Sequence, residues 1–143
     1  MITADTSFLV SLFGGDLHTA AAQSWAHNLE EPIVVTALTR YEFANAIRFA
    51  AFRKAVSSRD VLATLAAFAG DLAEGNLQLM AVDWAAVIEE AERLSASHTL
   101  AQGHRSFDIL LVASASVLKA KTFLTFDLNQ RKLARAARLA VGP

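Results

Sequence analysis

Four acidic residues stand where a metal-binding carboxylate cluster would need them. Asp5 closes the apolar run Met-Ile-Thr-Ala-Asp, and Asp127 closes a second one, Thr-Phe-Leu-Thr-Phe-Asp. Glu42 falls in the first turn of a helix expected after the second strand, and Asp108 begins another, in His-Arg-Ser-Phe-Asp-Ile-Leu. In an open parallel sheet, ligands bind in the crevice beyond the carboxyl ends of the strands, where strand ends and helix starts converge. Four carboxylates brought together there repel one another unless a positive charge lies between them. A hard divalent cation answers that need, because oxygen donors suit Mg²⁺ and Mn²⁺.

The elements that must position these acids alternate along the chain. Ile2–Ala4 is expected as a short buried strand, and a helix from about Ser7 to Phe13 is stopped by Gly14-Gly15. A helix over Thr19–Leu29 and a break at Glu30-Glu31-Pro32 lead to a β-branched strand, Ile33–Thr36. Two helices follow, Thr39–Val56 and Arg59–Ala73, then a Gly75-Asn76 turn and a strand over Leu77–Val82. Trp84–Ala96 is expected as a helix capped by Asp83, with Ser97–Arg105 a polar loop containing Gly103. Phe107–Leu118 is helical, Thr122–Phe126 a strand, Leu128–Ala137 the last helix, and Leu139–Val141 an added edge strand. Alternation of this kind predicts a single α/β domain over residues 1–143. It is a three-layer α/β/α sandwich around a four- to five-stranded parallel sheet.

Composition narrows the class further. A chain of 143 residues buries an adequate core without staples. With 54% hydrophobic and 19% charged residues it is globular, not disordered. There is no cysteine, which excludes disulfides and cysteine-type zinc sites. The net charge of −1 gives no bulk signal for nucleic acid, so any such signal must be local. No apolar run reaches membrane-spanning length and no signal-peptide pattern opens the chain, so a cytoplasmic location is expected.

Each acid also has a plainer reading. Asp5 and Asp127 can cap the helices that follow them. Glu42 lies three residues after Thr39, the capping-box spacing. Asp108 sits in a first turn, where acids offset the helix dipole. None of these roles requires all four acids to face one crevice. Asp16 is a reserve ligand, and the remaining acids read as surface or caps.

Taken in order, Asp5-Thr6-Ser7, Tyr41-Glu42 with Asn45 one turn on, Arg105-Ser106-Phe107-Asp108 and Thr125-Phe126-Asp127 resemble a PIN domain. The run Thr-Phe-Leu-Thr-Phe-Asp-Leu-Asn-Gln-Arg-Lys-Leu-Ala from Thr122 is especially similar to the VapC toxins of bacterial type II toxin–antitoxin pairs. The resemblance spans Ile2 to about Val141. One departure is Ala137-Arg138-Leu139, where many relatives carry Ala-Gly-Leu.

The resemblance implies a Mg²⁺- or Mn²⁺-dependent ribonuclease whose acidic quartet is Asp5, Glu42, Asp108 and Asp127. Asp5 and Asp108 are then expected as direct ligands. Glu42 and Asp127 would act through water or on a second ion. Thr6, Ser7, Asn45 and Thr125 are expected to support the carboxylates. His104 and Arg105 are placed to meet a phosphate. Arg131, Arg135 and Arg138 recur on the last helix as a basic stripe that would hold an RNA backbone without reading sequence. A solvated helix face is the plainer reading of that stripe.

The helix after the second strand carries two apolar stripes. Phe43, Ile47 and Ala50 form one, and Phe49, Phe52 and Val56 the other. A surface helix normally hides only one. The resemblance implies a small antitoxin protein bound near this helix, and a homodimer. Packing against the following helix explains the second stripe equally well.

Rival chemistries leave no trace. Gly-x-Gly-x-x-Gly and the phosphate-cradling Gly-x-x-x-x-Gly-Lys are absent. Asp5 lacks the acidic neighbour a receiver domain usually needs, and Asp5-Thr6-Ser7 is not the Asp-x-Asp of a dehalogenase-like phosphatase. The remaining rival is a catalytically inactive PIN-like module that binds RNA or protein.

Overall fold

The computed structural model describes residues 1–143. Five three-residue strands lie parallel in one sheet. They are β1 (Ile2–Ala4), β2 (Ile33–Val35), β3 (Leu77–Leu79), β4 (Thr122–Leu124) and β5 (Ala140–Gly142), in the order β3-β2-β1-β4-β5. Seven helices connect them: α1 (Thr6–Gly14), α2 (Thr19–His27), α3 (Ala37–Phe52), α4 (Ser58–Glu74), α5 (Trp84–Gln102), α6 (Ser106–Val117) and α7 (Leu128–Ala136).

Strand side chains alternate between faces, and each face has its own core. Ile2, Ala4, Ile33, Val35, Leu77 and Leu124 pack with Phe8, Leu9, Phe43, Ile47 and Phe68 from α1, α3 and α4. Phe123, from the opposite face of β4, packs with Val87, Leu94, Leu111, Val112 and Leu133 from α5, α6 and α7. The expected three-layer sandwich is therefore present, with α1–α4 on one face and α5–α7 on the other. No helix is long and apolar enough to cross a membrane.

β1 pairs with β2 on one side and β4 on the other. The chain winds outward in opposite directions from these two central strands, so the β1–β4 junction is the switch point where a crevice opens. Asp5 and Asp127 are the N-caps of the helices that leave β1 and β4.

Several boundaries differ from the sequence reading. α3 starts earlier, because Thr36 and Thr39 form the capping box. Glu42 is therefore in the second turn, not the first, and it is no cap. The same helix ends at Phe52, and Lys54 turns left-handed with φ 60°, so Val56 lies beyond it. α5 runs through the expected polar loop to Gln102. No glycine or proline interrupts residues 97–102, and Ser97 donates to the Arg93 carbonyl at 2.9 Å within the helix. Gly103, at φ 68°, ends it. β3 stops at Leu79 rather than Val82. α7 stops at Ala136, and Arg138 takes φ 64°, a left-handed conformation that favours glycine. Arg138 thus leaves the helical stripe assigned to it.

Candidate metal and phosphodiester site

The site is built where β1 and β4 end side by side. Asp5 is fully buried there. Its Oδ1 accepts from the Phe8 amide at 2.8 Å, which caps α1. The Ser7 hydroxyl donates to the same carboxylate at 2.8 Å, and the Thr125 hydroxyl donates to Oδ2 at 2.6 Å. These donors favour the charged form, but burial outweighs them and pushes the Asp5 carboxyl up to about 6. The neighbouring Asp127 charge pushes in the same direction.

Thr125, itself fully buried, links the two strand ends. While its hydroxyl donates to Asp5, it accepts from the Asp127 amide at 3.0 Å. The Thr125 amide donates to the Gly142 carbonyl at 2.8 Å, which ties β5 to the same loop. Ser7 adds a second link by accepting from the Phe126 amide at 3.0 Å. Asp127 caps α7 through the Asn129 and Gln130 amides, at 2.7 and 2.9 Å.

Asp108 is buried in the first turn of α6. Arg105 Nε donates to its Oδ2 at 3.0 Å, and Gln130 Nε2 donates to its Oδ1 at 3.1 Å. One chain of hydrogen bonds therefore runs from Asp5 through Thr125, Asp127 and Gln130 to Asp108 and Arg105. Glu42 approaches from α3, where the Thr6 hydroxyl donates to its Oε2 at 2.5 Å. Burial raises its carboxyl first, and the Asp108 charge adds to the rise. The Arg105 guanidinium is held charged by Asp108, with Asp127 and Glu42 contributing.

All four acids thus belong to one electrostatic neighbourhood, and Thr6, Ser7 and Thr125 each donate a hydrogen bond to one of them. They do not yet form a coordination shell. No group of three or more acidic or histidine side chains could hold a metal ion as they stand. The donor set nonetheless fits a hard divalent cation: oxygen donors on both sides, and a buried Asp5 short of compensating charge. Arg105 supplies the positive charge on Asp108 in this arrangement.

The remaining candidates are less central. Asn45 is exposed one turn beyond Glu42. His104 is buried, with its ring against Gln102 Oε1 at 3.0 Å, and is not free to meet a phosphate. Arg131 is half-buried and bonded to the Pro143 carbonyl, whereas Arg135 and Lys132 are exposed. Asp16 is a loop residue that accepts from Ser11 Oγ and the His18 amide, both at 2.8 Å. Sequence reasoning missed Gln130. Its signal was position alone, three residues after the capping Asp127. It also missed His18, whose ring stacks on Phe126 at 4.4 Å next to the site.

The two apolar stripes of α3 separate cleanly. Phe43 and Ile47 are core and cannot meet a partner. Phe49 and Phe52 are exposed and stacked on each other at 5.7 Å, with Arg53 over the Phe49 ring at 4.5 Å.

Known proteins fit this architecture. The sequence model of the PIN domain matches residues 2–136. No curated protein sequence matches the chain. Among solved structures, VapC20 of Mycobacterium tuberculosis, described as a sarcin-ricin loop cleaving toxin, superposes with a TM-score of 0.71 at 16% identity. That match covers 92% of this chain and 94% of that one. VapBC2 from Rickettsia felis, bound to a DNA fragment from its promoter, matches with a TM-score of 0.65 at 16% identity, over 99% and 97% of the two chains. FitAcB from Neisseria gonorrhoeae matches with a TM-score of 0.66 at 16% identity, over 100% and 97%. At these identities the structural likeness speaks for the fold, and the match to the family's own sequence model decides membership. The chain belongs to the PIN domain family.

Proposed function

We propose that this PIN domain is a Mg²⁺- or Mn²⁺-dependent endoribonuclease, the toxin of a VapBC-type toxin–antitoxin pair acting in the cytoplasm. The observation that carries the reading is the hydrogen-bonded chain joining Asp5, Asp127 and Asp108 across the β1–β4 switch point, with Glu42 coupled to it by charge. PIN family members are typically nucleases, and VapC20, similar in fold, is described as a sarcin-ricin loop cleaving toxin.

In this reading Asp5 and Asp108 hold the cation, with Glu42 and Asp127 behind them. Bound there, a divalent cation lowers the pKa of a water and neutralises charge on the phosphate. Ser7 and Thr125 fix the Asp5 carboxylate. Thr6 fixes Glu42. With a cation held there, Arg105, which is 78% exposed beside Asp108, would be available to a phosphate oxygen. Arg135 and Lys132 hold the RNA backbone without reading its sequence. Phe49 and Phe52 offer an antitoxin chain an exposed aromatic face, and the VapBC2 structure holds toxin and antitoxin together. A homodimer belongs to the same proposal.

A second reading has one observation in its favour. The acids lack a ready coordination shell and Arg105 already neutralises Asp108, which suits a catalytically inactive PIN-like RNA- or protein-binding module. Cleavage of labelled total RNA, with Mg²⁺ or Mn²⁺ against EDTA and wild type beside Asp5→Asn, separates the two. The nuclease reading expects cleavage that EDTA abolishes. It expects Asp5→Asn to lose more than the about 10–100-fold that removal of an outer-sphere partner costs. RNA binding without cleavage under any metal supports the binding module.

A further inference from the structure

Gln130 reaches both acids of the α6–α7 side. Its backbone amide donates to Asp127 Oδ1 at 2.9 Å, and its side-chain Nε2 donates to Asp108 Oδ1 at 3.1 Å. The residue is 4% exposed. A carboxylate only accepts hydrogen bonds, so the amide must turn its NH₂ to Asp108, which fixes the place of its oxygen. That Oε1 is buried and has no hydrogen-bond partner.

His104 repeats the pattern close by. It is 6% exposed, and it senses the Asp108 and Asp127 charges. Its Nε2 faces Gln102 Oε1, an acceptor, which places the ring proton on Nε2. Nδ1 is then a lone-pair nitrogen, buried and without a partner. Orphaned buried acceptors are uncommon in folded proteins and call for an explanation. Two of them on the side that holds Asp108 and Asp127 call for hydrogen-bond donors. A phosphate would bring further acceptors, and an apolar group would leave both atoms unsatisfied. A water would satisfy either acceptor alone; a hydrated divalent cation satisfies the acceptors and the carboxylates together. Its charge answers the carboxylates, and its waters donate outward.

We propose that Gln130 is a positioning residue for such a cation: Nε2 fixes the Asp108 carboxylate, and the free Oε1 accepts a hydrogen bond from a water in the cation's shell. The inference rests on the metal-site reading of the four acids and deepens it. Partners of this kind orient ligands and tune affinity without touching the ion.

The test is the Mn²⁺ affinity of the intact protein, followed by the electron paramagnetic resonance signal of free Mn²⁺, with no RNA present. Wild type is compared with Asp5→Asn, Gln130→Leu and Gln130→Met, each first shown to melt cooperatively in EDTA. The inference expects Gln130→Leu to bind Mn²⁺ about 10-fold more weakly or worse. Gln130→Met keeps the length and bulk of the side chain without either polar group, and should be weakened to the same extent. Wild-type affinity in Gln130→Met beside a weakened Gln130→Leu would mark a packing role and overturn the inference. Wild-type affinity in Gln130→Leu, with binding still lost in Asp5→Asn, would overturn it alone and leave the metal site standing. No Mn²⁺ binding by wild type would remove the metal site and this inference together. Should Gln130→Leu fail to fold, Gln130→Met decides: a loss of about 10-fold supports the inference, and wild-type affinity overturns it.

Discussion

Asp5 and Glu42, on the side of the crevice built from α1 and α3, are held by side-chain hydroxyls, with the Phe8 amide also on Asp5. Asp108 and Asp127, on the α6–α7 side, are held by a guanidinium and by amides. On the first side burial dominates, and both carboxyls are pushed above their ordinary range. On the second side Arg105 faces Asp108 directly and feels Asp127 as well. One side therefore lacks positive charge and the other already has some. A cation held between them would compensate the first and compete with Arg105 for the second. The difference teaches that the acids are not equivalent, although sequence spacing treats them alike.

Breaking the first side should have the largest effect on stability, and its sign depends on pH. Asp5 rises from 3.8 to about 6 on folding, so the folded state holds this proton more tightly. Its contribution to stability is fully present below about pH 4 and is lost as pH climbs through about 6, a difference of about 3 kcal/mol. Glu42 adds in the same direction. Asparagine caps a helix as well as aspartate does. Asp5→Asn in EDTA should therefore be more stable than wild type at pH 7.5, with the gap closing near pH 4. Urea titrations across that range measure it.

Thr125→Val comes next. It preserves shape but strips Asp5 Oδ2 of its 2.6 Å donor and the Asp127 amide of its acceptor. Buried groups left unsatisfied cost about 1–3 kcal/mol, so a loss near 2 kcal/mol is expected in the same assay. On the other side, Arg105→Gln should cost less than about 1 kcal/mol, because the arginine is 78% exposed and the ion pair is screened. Its informative readout is calorimetric Mn²⁺ affinity, which should rise once the competing charge is gone. A large stability loss at Arg105 with little loss at Thr125 would invert the comparison.

Much of this was legible in the residues. Short apolar runs bounded by Asp5, Pro32 and Asp127 marked the strands, and their alternation with helices gave the layers and a crevice beyond the strands' carboxyl ends, whereas the strand order that makes β1–β4 the switch point was not legible. The hydroxyls of Ser7 and Thr125 were visible as strand-end neighbours. What escaped depended on three-dimensional context. Thr36 outcompeted Thr39 as the cap of α3, since both have the right chemistry and only packing chooses. The polar stretch after Ala96 stayed helical because it contains no breaker before Gly103. Phe43 and Phe49 look alike in sequence, yet one is core and the other exposed. Gln130 sits in a polar run, and its burial against Asp108 follows from how α7 docks on α6. Arg138 adopts a left-handed turn that its residue type disfavours, so no local signal announced the end of α7.

The central claim is that acids from the two sides share one cation. The most direct measurement is the thermal midpoint of wild type, Asp5→Asn and Asp108→Asn, each with and without Mn²⁺. Binding to the folded state alone stabilises it by about 2.7 kcal/mol at a hundredfold excess over Kd. The account predicts a clear upward shift in wild type and none in either variant. A full shift surviving in Asp5→Asn or in Asp108→Asn would contradict it.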